Sequence, residues 1–561
     1  MKETGSEVVY EIPDVSFGTA RQLRVICIGA GASGINLAYQ LGRHMKNVDL
    51  QIYEKNEGVG GTWLENKYPG CACDIPAHNY QFSWAPNPRW TQFYASAPEI
   101  LKYLQDTTRK FDLEKHVNFR HKVTQAKWDE ASGLWNLAIL DEDTGRVIED
   151  SCHILINGSG FLNHWRWPEI PGLHSFKGDL MHTAFWQDGT NVKDKRVGVI
   201  GNGSSGIQVL VSLYPEVKTM TTFIRSSTWV TTSFAQQFAG PDGANFDYTE
   251  EQKAEFAGNP QKMLAYQKDL ELAMSARFEL NLKDSPLQEQ AKQYLTAQMK
   301  AKLGQDHPLA KVIIPDFGVG CKRPTPGHGY LEALSQPNTR VITEPIAEVL
   351  PDGVKLKSGE IVELDSLICA TGFDYSWIPR FPIIGRGGVD IRELWKERPH
   401  GYMGLAVHHL PNYFLFLGPN SPLSHGSTLP TLEIVTKYIC RMVWKLQTEH
   451  YKSVVPTNAA VANFVAHCDK FHERTIWGTK CRSWFKGGKE DGHVLTHPGS
   501  RFHNVHMLIN PRYEDWEWTS LSTNRFAYLG DGLTVLEKEE KRRDPTWFLN
   551  DPDKGYEGLI Y

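Results

Sequence analysis

Two stretches of the chain share one arrangement of apolar and polar positions: RVICIGAGASGINLAYQL, from Arg24, and RVGVIGNGSSGIQVLVSL, from Arg196. In each, a short apolar run leads straight into closely spaced glycines and then into helix-like spacing. A run this short, bounded by glycine, predicts a buried strand, and the spacing after it predicts a helix starting at the last glycine. A second apolar segment comes after each unit. DLQIYEKN ends its strand at Glu54, and TMTTFIRSS ends at Arg225 and Ser226. Further strands are expected in FRHKVTQAKW, which includes Val123, and at Thr339 to Ile342. From about 234 to 302 the chain is rich in Ala, Glu, Gln and Lys at helical period, predicting a helical insertion. FKGDLMHTAFWQD places His182 and Trp186 four apart, which on a helix would put them on one face.

Strand, glycine turn and helix start together make a phosphate cradle, because the first turn of a helix offers unpaired N–H groups and positive partial charge. In the first cradle Gly29, Gly31 and Gly34 supply the turn, the close backbone approach to a pyrophosphate and tight packing of helix on strand. Glu54, about 20 residues on, is placed to accept hydrogen bonds from a ribose. Gly201, Gly203 and Gly206, with Ser204 and Ser205, repeat the cradle. There the second strand ends in Arg225 and Ser226 instead of an acid. A guanidinium pairs with a 2′-phosphate that a carboxylate would repel, so this site is expected to take NADPH. The cradles lie roughly 170 residues apart, which suits one nucleotide domain inserted in another. The expected fold is α/β, with two Rossmann-like dinucleotide-binding domains and a helical insertion. The boundaries are 1–163 for the first part of the flavin domain, 164–380 for the NADPH domain, and 381–561 for the rest. Two dinucleotides in one chain imply a nicotinamide passing hydride to a flavin.

Composition narrows the class further. At 561 residues the chain exceeds a single core. A net charge of −5 and a pI near 6.5 give no basic footprint for nucleic acid. No apolar run approaches the roughly 20 residues of a membrane span, and the N-terminus lacks the apolar core of a secretory signal. A soluble cytoplasmic protein is expected. Nine cysteines without a CxxC pair argue against disulfide scaffolds, zinc ribbons and thioredoxin-type redox pairs. His467, Cys468 and His472 have no usual zinc spacing and read as a solvated helix, so no metal is expected.

Between the cradles lies GGTWLENKYPGCACD. Its Gly60, Gly61, Trp63, Tyr68, Pro69, Gly70 and Asp74, with Phe176, Gly178, His182 and Trp186 of FKGDLMHTAFW, resemble the two signatures of the class B flavoprotein monooxygenases. Within that class they resemble the Baeyer–Villiger monooxygenases. Gln187 departs from the usual Pro or Asp after the Trp. DSLICATGF, GPNSP and CRSWF are similar to later segments of the family, the match runs from about Arg24 to about Trp518, and the C-terminal text is most like the fungal-type members. The resemblance implies FAD and NADPH as cofactors, O2 and a small-molecule ketone as reactants, and an ester or lactone product made through a peroxide on the flavin. It implies that Arg323 favours the anionic peroxide and that Asp74 pairs with Arg323, both acting as catalytic residues. Thr62, Trp63, Asp74 and Tyr80 would face the flavin, Val123 its adenine side, and Lys322 the 2′-phosphate. Arg323 and Trp484 would meet the nicotinamide nucleotide, while Phe176, Gly178, His182 and Trp186 would fit out the linker between the domains. Sulfur or nitrogen oxygenation, and a nucleotide-sensing flavoprotein that oxygenates nothing, stay open as alternatives. So do the identity of the ketone, the oligomeric state, and whether the insertion is a lid or a dimer surface.

Overall fold

The computed structural model describes residues 10–424 and 426–538, with 546 and 549 beyond. The first nine residues and most of the stretch after 538, which the expected boundaries assign to the two parts of the flavin domain, lie outside the described residues. Two five-stranded parallel sheets organise the rest. The first has the strand order Tyr413–Leu415, Ile154–Asn157, Leu23–Ile28, Val48–Tyr53, Val117–Asn118. The second has the order Thr339–Ile342, Thr219–Phe223, Arg196–Ile200, Ser366–Cys369, Asp179–His182. Both central strands are apolar because parallel sheets are covered on both faces. Val25, Ile26 and Cys27 are fully buried, as are Val197 and Val199. Each such side chain contributes about 1.5–3 kcal/mol by leaving water. Helix Ala32–His44 follows the first central strand and helix Ser204–Leu213 the second, as the repeated pattern predicts.

The first sheet is interrupted. Its strand Ile154–Asn157 pairs with Tyr413–Leu415, and all five strands of the second sheet lie between the two in sequence. An antiparallel sheet of His121–Asp129, Leu134–Asp141 and Val147–Cys152 is also inserted before Ile154.

Three sequence expectations change. His182 does not share a helix face with Trp186: Asp179–His182 is an edge strand paired with Ser366–Cys369, and the chain then turns through Thr183 and Ala184. Backbone pairing to a partner far along the chain outweighs the local four-residue spacing. Gly178 is what lets the strand approach, since a Cβ there would lie 2.2 Å from the Asp365 carbonyl oxygen. The helical insertion starts later than 234. Its helices are Glu250–Gly258, Pro260–Ser275 and Pro286–Leu303, preceded by short turns around Gly240, Pro241 and Gly243. Thr249 sets the start, because its side chain caps the Gln252 N–H while the Gln252 side chain caps the Thr249 N–H. Helix Asn458–His472 is not wholly solvated. His467 is exposed, but Cys468 and His472 are buried, and a His472 ring nitrogen lies 3.0 Å from the Thr496 carbonyl.

The insertion packs on the first unit. Asn79 donates to Glu271 at 2.8 Å and Gln267 donates to the His78 carbonyl at 2.9 Å. Arg501, 3% exposed, pairs with Glu271 and donates to Thr431. The middle helix thus lies over the segment that immediately follows Asp74.

Candidate active site

The two cradles are built alike. Gly29 and Gly201 sit at φ of +101° and +109°, a region side chains avoid, and added Cβ atoms would press on the Gly158 and Ala370 carbonyls at 2.9 and 2.5 Å. Gly34 and Gly206 back onto the carbonyls of Gly29 and Gly201, where a Cβ would come within 2.2 and 2.3 Å. The middle glycines differ from these. Gly203 has no protein atom within 4 Å of where a Cβ would sit, and the one nearest to Gly31 is the Gly61 Cα at 3.5 Å. Both are N-cap residues with no side chain capping the helix, so the first-turn N–H groups are left for a ligand. Uncapped starts of helices of 13 and 10 residues, with open space at Gly203 and only the Gly61 backbone near Gly31, fit a pyrophosphate at each.

Glu54 closes the first cradle. Its carboxylate accepts from the Ala30 N–H at 2.7 Å and the Asn56 N–H at 2.9 Å, and the side chain is buried. Burial raises its pKa, and the two N–H groups work against that rise. Thr62 begins the short helix Thr62–Glu65 beside this turn. In that helix the Trp63 indole N–H donates to the Tyr80 hydroxyl at 3.2 Å, the rings meeting edge to face at 5.5 Å. Burial holds the Tyr80 hydroxyl well above its ordinary pKa, so it stays protonated. Val123 is buried among Ile28, Tyr53 and Trp128, and nothing separates it from a core position.

Beside the second cradle the Lys322 ammonium donates to the Ser226 hydroxyl at 3.3 Å and the Ser227 carbonyl at 3.1 Å. Asn202, from the glycine turn, donates to the Ser226 carbonyl at 2.9 Å. Burial lowers the Lys322 pKa, and the nearby charges of Arg225 and Arg482 lower it further. Lys322 therefore reaches an exposed Ser226 with the charges of Arg225 and Arg482 near it, an arrangement suited to a doubly charged phosphate. Ser204 and Ser205 start the cradle's helix. The Ser205 and Thr183 hydroxyls are 3.1 Å apart, and those of Ser204 and Thr325 are 3.3 Å apart.

Asp74 and Arg323, 249 residues apart in sequence, meet in a bidentate fork. The guanidinium donates through Nε at 3.1 Å to one carboxylate oxygen and through Nη2 at 2.7 and 2.9 Å to both. Each side chain is 25% exposed. Burial alone would lower the Arg323 pKa, but the charge and hydrogen bonds of Asp74 more than offset it and the net shift is upward. Its Cζ lies 5.2 Å from the ring centroid of Phe234, whose carbonyl accepts from the Tyr94 hydroxyl at 2.5 Å. Phe234 and Tyr94 were invisible to sequence reading, because a lone aromatic before a helical stretch carries no distinguishing pattern.

Phe176, His182 and Trp186 pack in different surroundings. The His182 ring stacks on Trp165 at 4.6 Å, one ring nitrogen accepts from the Ala184 N–H at 3.1 Å, and the other lies 3.1 Å from the Thr371 hydroxyl. Burial lowers its pKa to about 4, so it is neutral at ordinary pH. Phe176 packs in the core under the second sheet, and Trp186 is half-buried against the apolar cluster that includes Tyr68. Trp484 stacks on Phe161, which stacks on Trp377.

One pairing runs against the sequence expectation. Cys321 and Cys481 are joined by a disulfide, with Cα atoms 6.5 Å apart across 160 residues of sequence. No local spacing signals such a pair. The other cysteines, Cys27, Cys71, Cys73, Cys152, Cys369, Cys440 and Cys468, are free and buried. Among the described residues no helix is long and apolar enough to cross a membrane.

Known proteins share this architecture. A family model described as an NAD(P)-binding Rossmann-like domain matches residues 27–97, the first cradle through Asp74 and beyond. An FAD-binding monooxygenase of Aspergillus terreus, tazF, is 39% identical over 93% of this chain and 94% of its own length. A Baeyer–Villiger monooxygenase of Pseudomonas aeruginosa is 31% identical over 83% of this chain and 86% of its own. Among solved structures, cyclohexanone monooxygenase from Rhodococcus sp. Phi1 bound to NADP+ superposes with a TM-score of 0.76 at 29% identity, covering 90% of this chain and all of that one.

Proposed function

The chain belongs to the Baeyer–Villiger type of FAD-binding monooxygenases, and from that premise we propose that it uses NADPH and O2 to insert one oxygen atom beside a ketone carbonyl, giving an ester or lactone. The observation that carries the reading is the half-buried fork of Arg323 and Asp74. FAD, reduced by NADPH and exposed to O2, supplies the activated oxygen. The first cradle, with Glu54, Thr62, Trp63 and Tyr80, holds the FAD. The second, with Arg225, Ser226 and Lys322, holds the NADPH.

Arg323 contributes a charge that cannot be lost by deprotonation, directed by a planar fork. Asp74 takes the Nε and Nη2 donors, which fixes the plane of the guanidinium and leaves Nη1 outside the fork. A fixed cation beside an oxygen anion keeps that oxygen unprotonated and able to add to a carbonyl carbon. A preorganised donor of this kind is worth about 2.7–4 kcal/mol in the transition state. His182, neutral and held in a strand, positions the linker between the two units. Trp484 covers the nicotinamide side. The reading places the enzyme in the cytoplasm, where a disulfide such as Cys321–Cys481 would be a transient one.

Purified holoenzyme given NADPH, O2, a cyclic ketone and a thioether is expected to form ester or lactone in proportion to NADPH consumed. Sulfoxide without ester would overturn the reading in favour of heteroatom oxygenation. Arg323→Ala is expected to leave flavin reduction by NADPH intact and lower ester formation by about a hundredfold to a thousandfold. An unchanged ester yield would remove Arg323 from its role.

A further inference from the structure

We propose that Cys321 and Cys481 form a reversible redox latch that, when oxidised, fastens the loop carrying Lys322 and Arg323 to the loop carrying Trp484. Once reduced, the pair lets the two loops part. Cys321 stands directly before Lys322 and two residues before Arg323, while Cys481 stands three before Trp484. The bond is therefore the covalent tie between the segment that presents the cations of the second cradle and the segment that presents the aromatic stack. The description of these loops as a nucleotide site rests on the oxygenase reading of the chain; the latch itself rests on their geometry.

The two loops already touch without the bond, so the thiols stay in register when reduced. The Trp477 indole N–H donates to the Gly320 carbonyl at 3.0 Å. Ile476 packs on the same turn, its Cδ1 lying 3.0 Å from where a Gly320 Cβ would sit. The Thr479 hydroxyl lies 3.8 Å from the Cys321 sulfur. Beyond Cys481 the polar side-chain bonds of the second loop stay away from the Cys321 loop: the Arg482 Nε donates to the Gly488 carbonyl at 2.8 Å, and the Lys486 ammonium to the Thr479 carbonyl at 2.8 Å and the Glu490 carbonyl at 2.5 Å, while Trp484 stacks on Phe161. The second loop can therefore move as a body once the tie is opened.

Burial makes the latch slow and gated. Cys321 is fully buried and Cys481 is 4% exposed, so oxidant and reductant reach the sulfurs only through transient local opening. The chemistry balances with a peroxide as oxidant. Two S–H bonds and the O–O bond break, one S–S bond forms, and for hydrogen peroxide both oxygens leave as water. A dithiol reductant reverses the step by returning two electrons and two protons.

The test uses full-length holoenzyme treated with hydrogen peroxide or with dithiothreitol. Alkylation under denaturing conditions and non-reducing peptide mapping are expected to show a linked Cys321–Cys481 peptide after peroxide and two alkylated thiols after dithiothreitol. Displacement of a fluorescent etheno-NADP+ is expected to be about three- to tenfold slower from the oxidised enzyme, as for a closed loop that limits release. Cys321→Ser and Cys481→Ser are each expected to release it at the reduced rate under both treatments. Failure to recover a linked peptide would overturn the proposal. So would release rates within twofold of each other in linked and unlinked wild type, a comparison that needs no variant to fold. An enzyme that makes no ester yet shows the linked peptide and the rate difference would overturn the oxygenase reading alone.

Discussion

At the scale of single residues, the cations around Ser226 carry the clearest expectation. Arg225 immediately precedes it and Lys322 donates to it from a distant segment, with the Arg225 charge helping to lower the Lys322 pKa. Arg225→Ala is expected to lower kcat/KM for NADPH by about ten- to a hundredfold, the loss of one charge-assisted phosphate contact, and to leave NADH nearly unaffected. Steady-state kinetics with both nucleotides decide it, and equal losses would assign Arg225 a structural role. Arg225 was legible in the sequence because it closes a strand where an acid would otherwise stand. The pairing of Asp74 with Arg323 was not legible by spacing, since it spans 249 residues and depends on how two units dock. Only the signature around Asp74 and the place of Arg323 after the insertion connected them. Cys321 and Cys481 had no such signature, and sequence distance gave no reason to pair them.

At the scale of elements, the middle glycines of the two cradles separate the nucleotides. Gly203→Val puts a branched Cβ where no protein atom lies within 4 Å, so the fold should accept it while the pyrophosphate is displaced. Its KM for NADPH is expected to rise at least tenfold with flavin content unchanged. Gly31→Val is expected to do the reverse, yielding protein with most of its flavin lost. Absorbance of the purified proteins and NADPH titration read both outcomes, and loss of flavin from the Gly203 variant would exchange the two assignments. Strand, glycine turn and helix were legible because each depends on neighbours within a few residues. The four-residue spacing of His182 and Trp186, which would suit a helix, misleads for the opposite reason. The conformation around His182 is decided by Ser366–Cys369, far along the chain, and by a glycine that lets the two backbones meet. The late start of the insertion helices comes from a cap at Thr249 that outweighs residue propensity upstream.

At the scale of the whole molecule, burial of neutral histidines ties stability to pH. His78, His182 and His472 are 1%, 0% and 2% exposed, and burial lowers each to about 4. Unfolded, each would titrate near 6.5, so as pH falls below that value the unfolded chain takes up protons first. Stability from these groups is complete above about pH 7.5 and is lost between 6.5 and 4, by on the order of 2 kcal/mol each at pH 5. The apparent Tm is expected to fall from pH 7.5 to pH 5. Buried Glu54 and Glu433, raised by burial, act in the opposite sense, so the histidine share is read as the shallower slope of His182→Gln beside wild type. Parallel slopes would show that His182 is not held neutral. The α/β class and the presence of two nucleotide units could be read from the repeated pattern, but the docking of the insertion on the segment after Asp74 could not. It rests on contacts such as Asn79 with Glu271, which join residues without any shared periodicity.

The strand Tyr413–Leu415, which completes the sheet begun at Leu23, also orders events on the ribosome. The nascent chain emerges with Ile154–Asn157 as an open edge and cannot seal it until synthesis has passed beyond the second unit. That second unit has every strand it needs by Cys369. The half begun first is therefore finished last, and a chain released early would carry one complete nucleotide fold beside another with an unpaired strand, the kind of edge that recruits neighbours into aggregates.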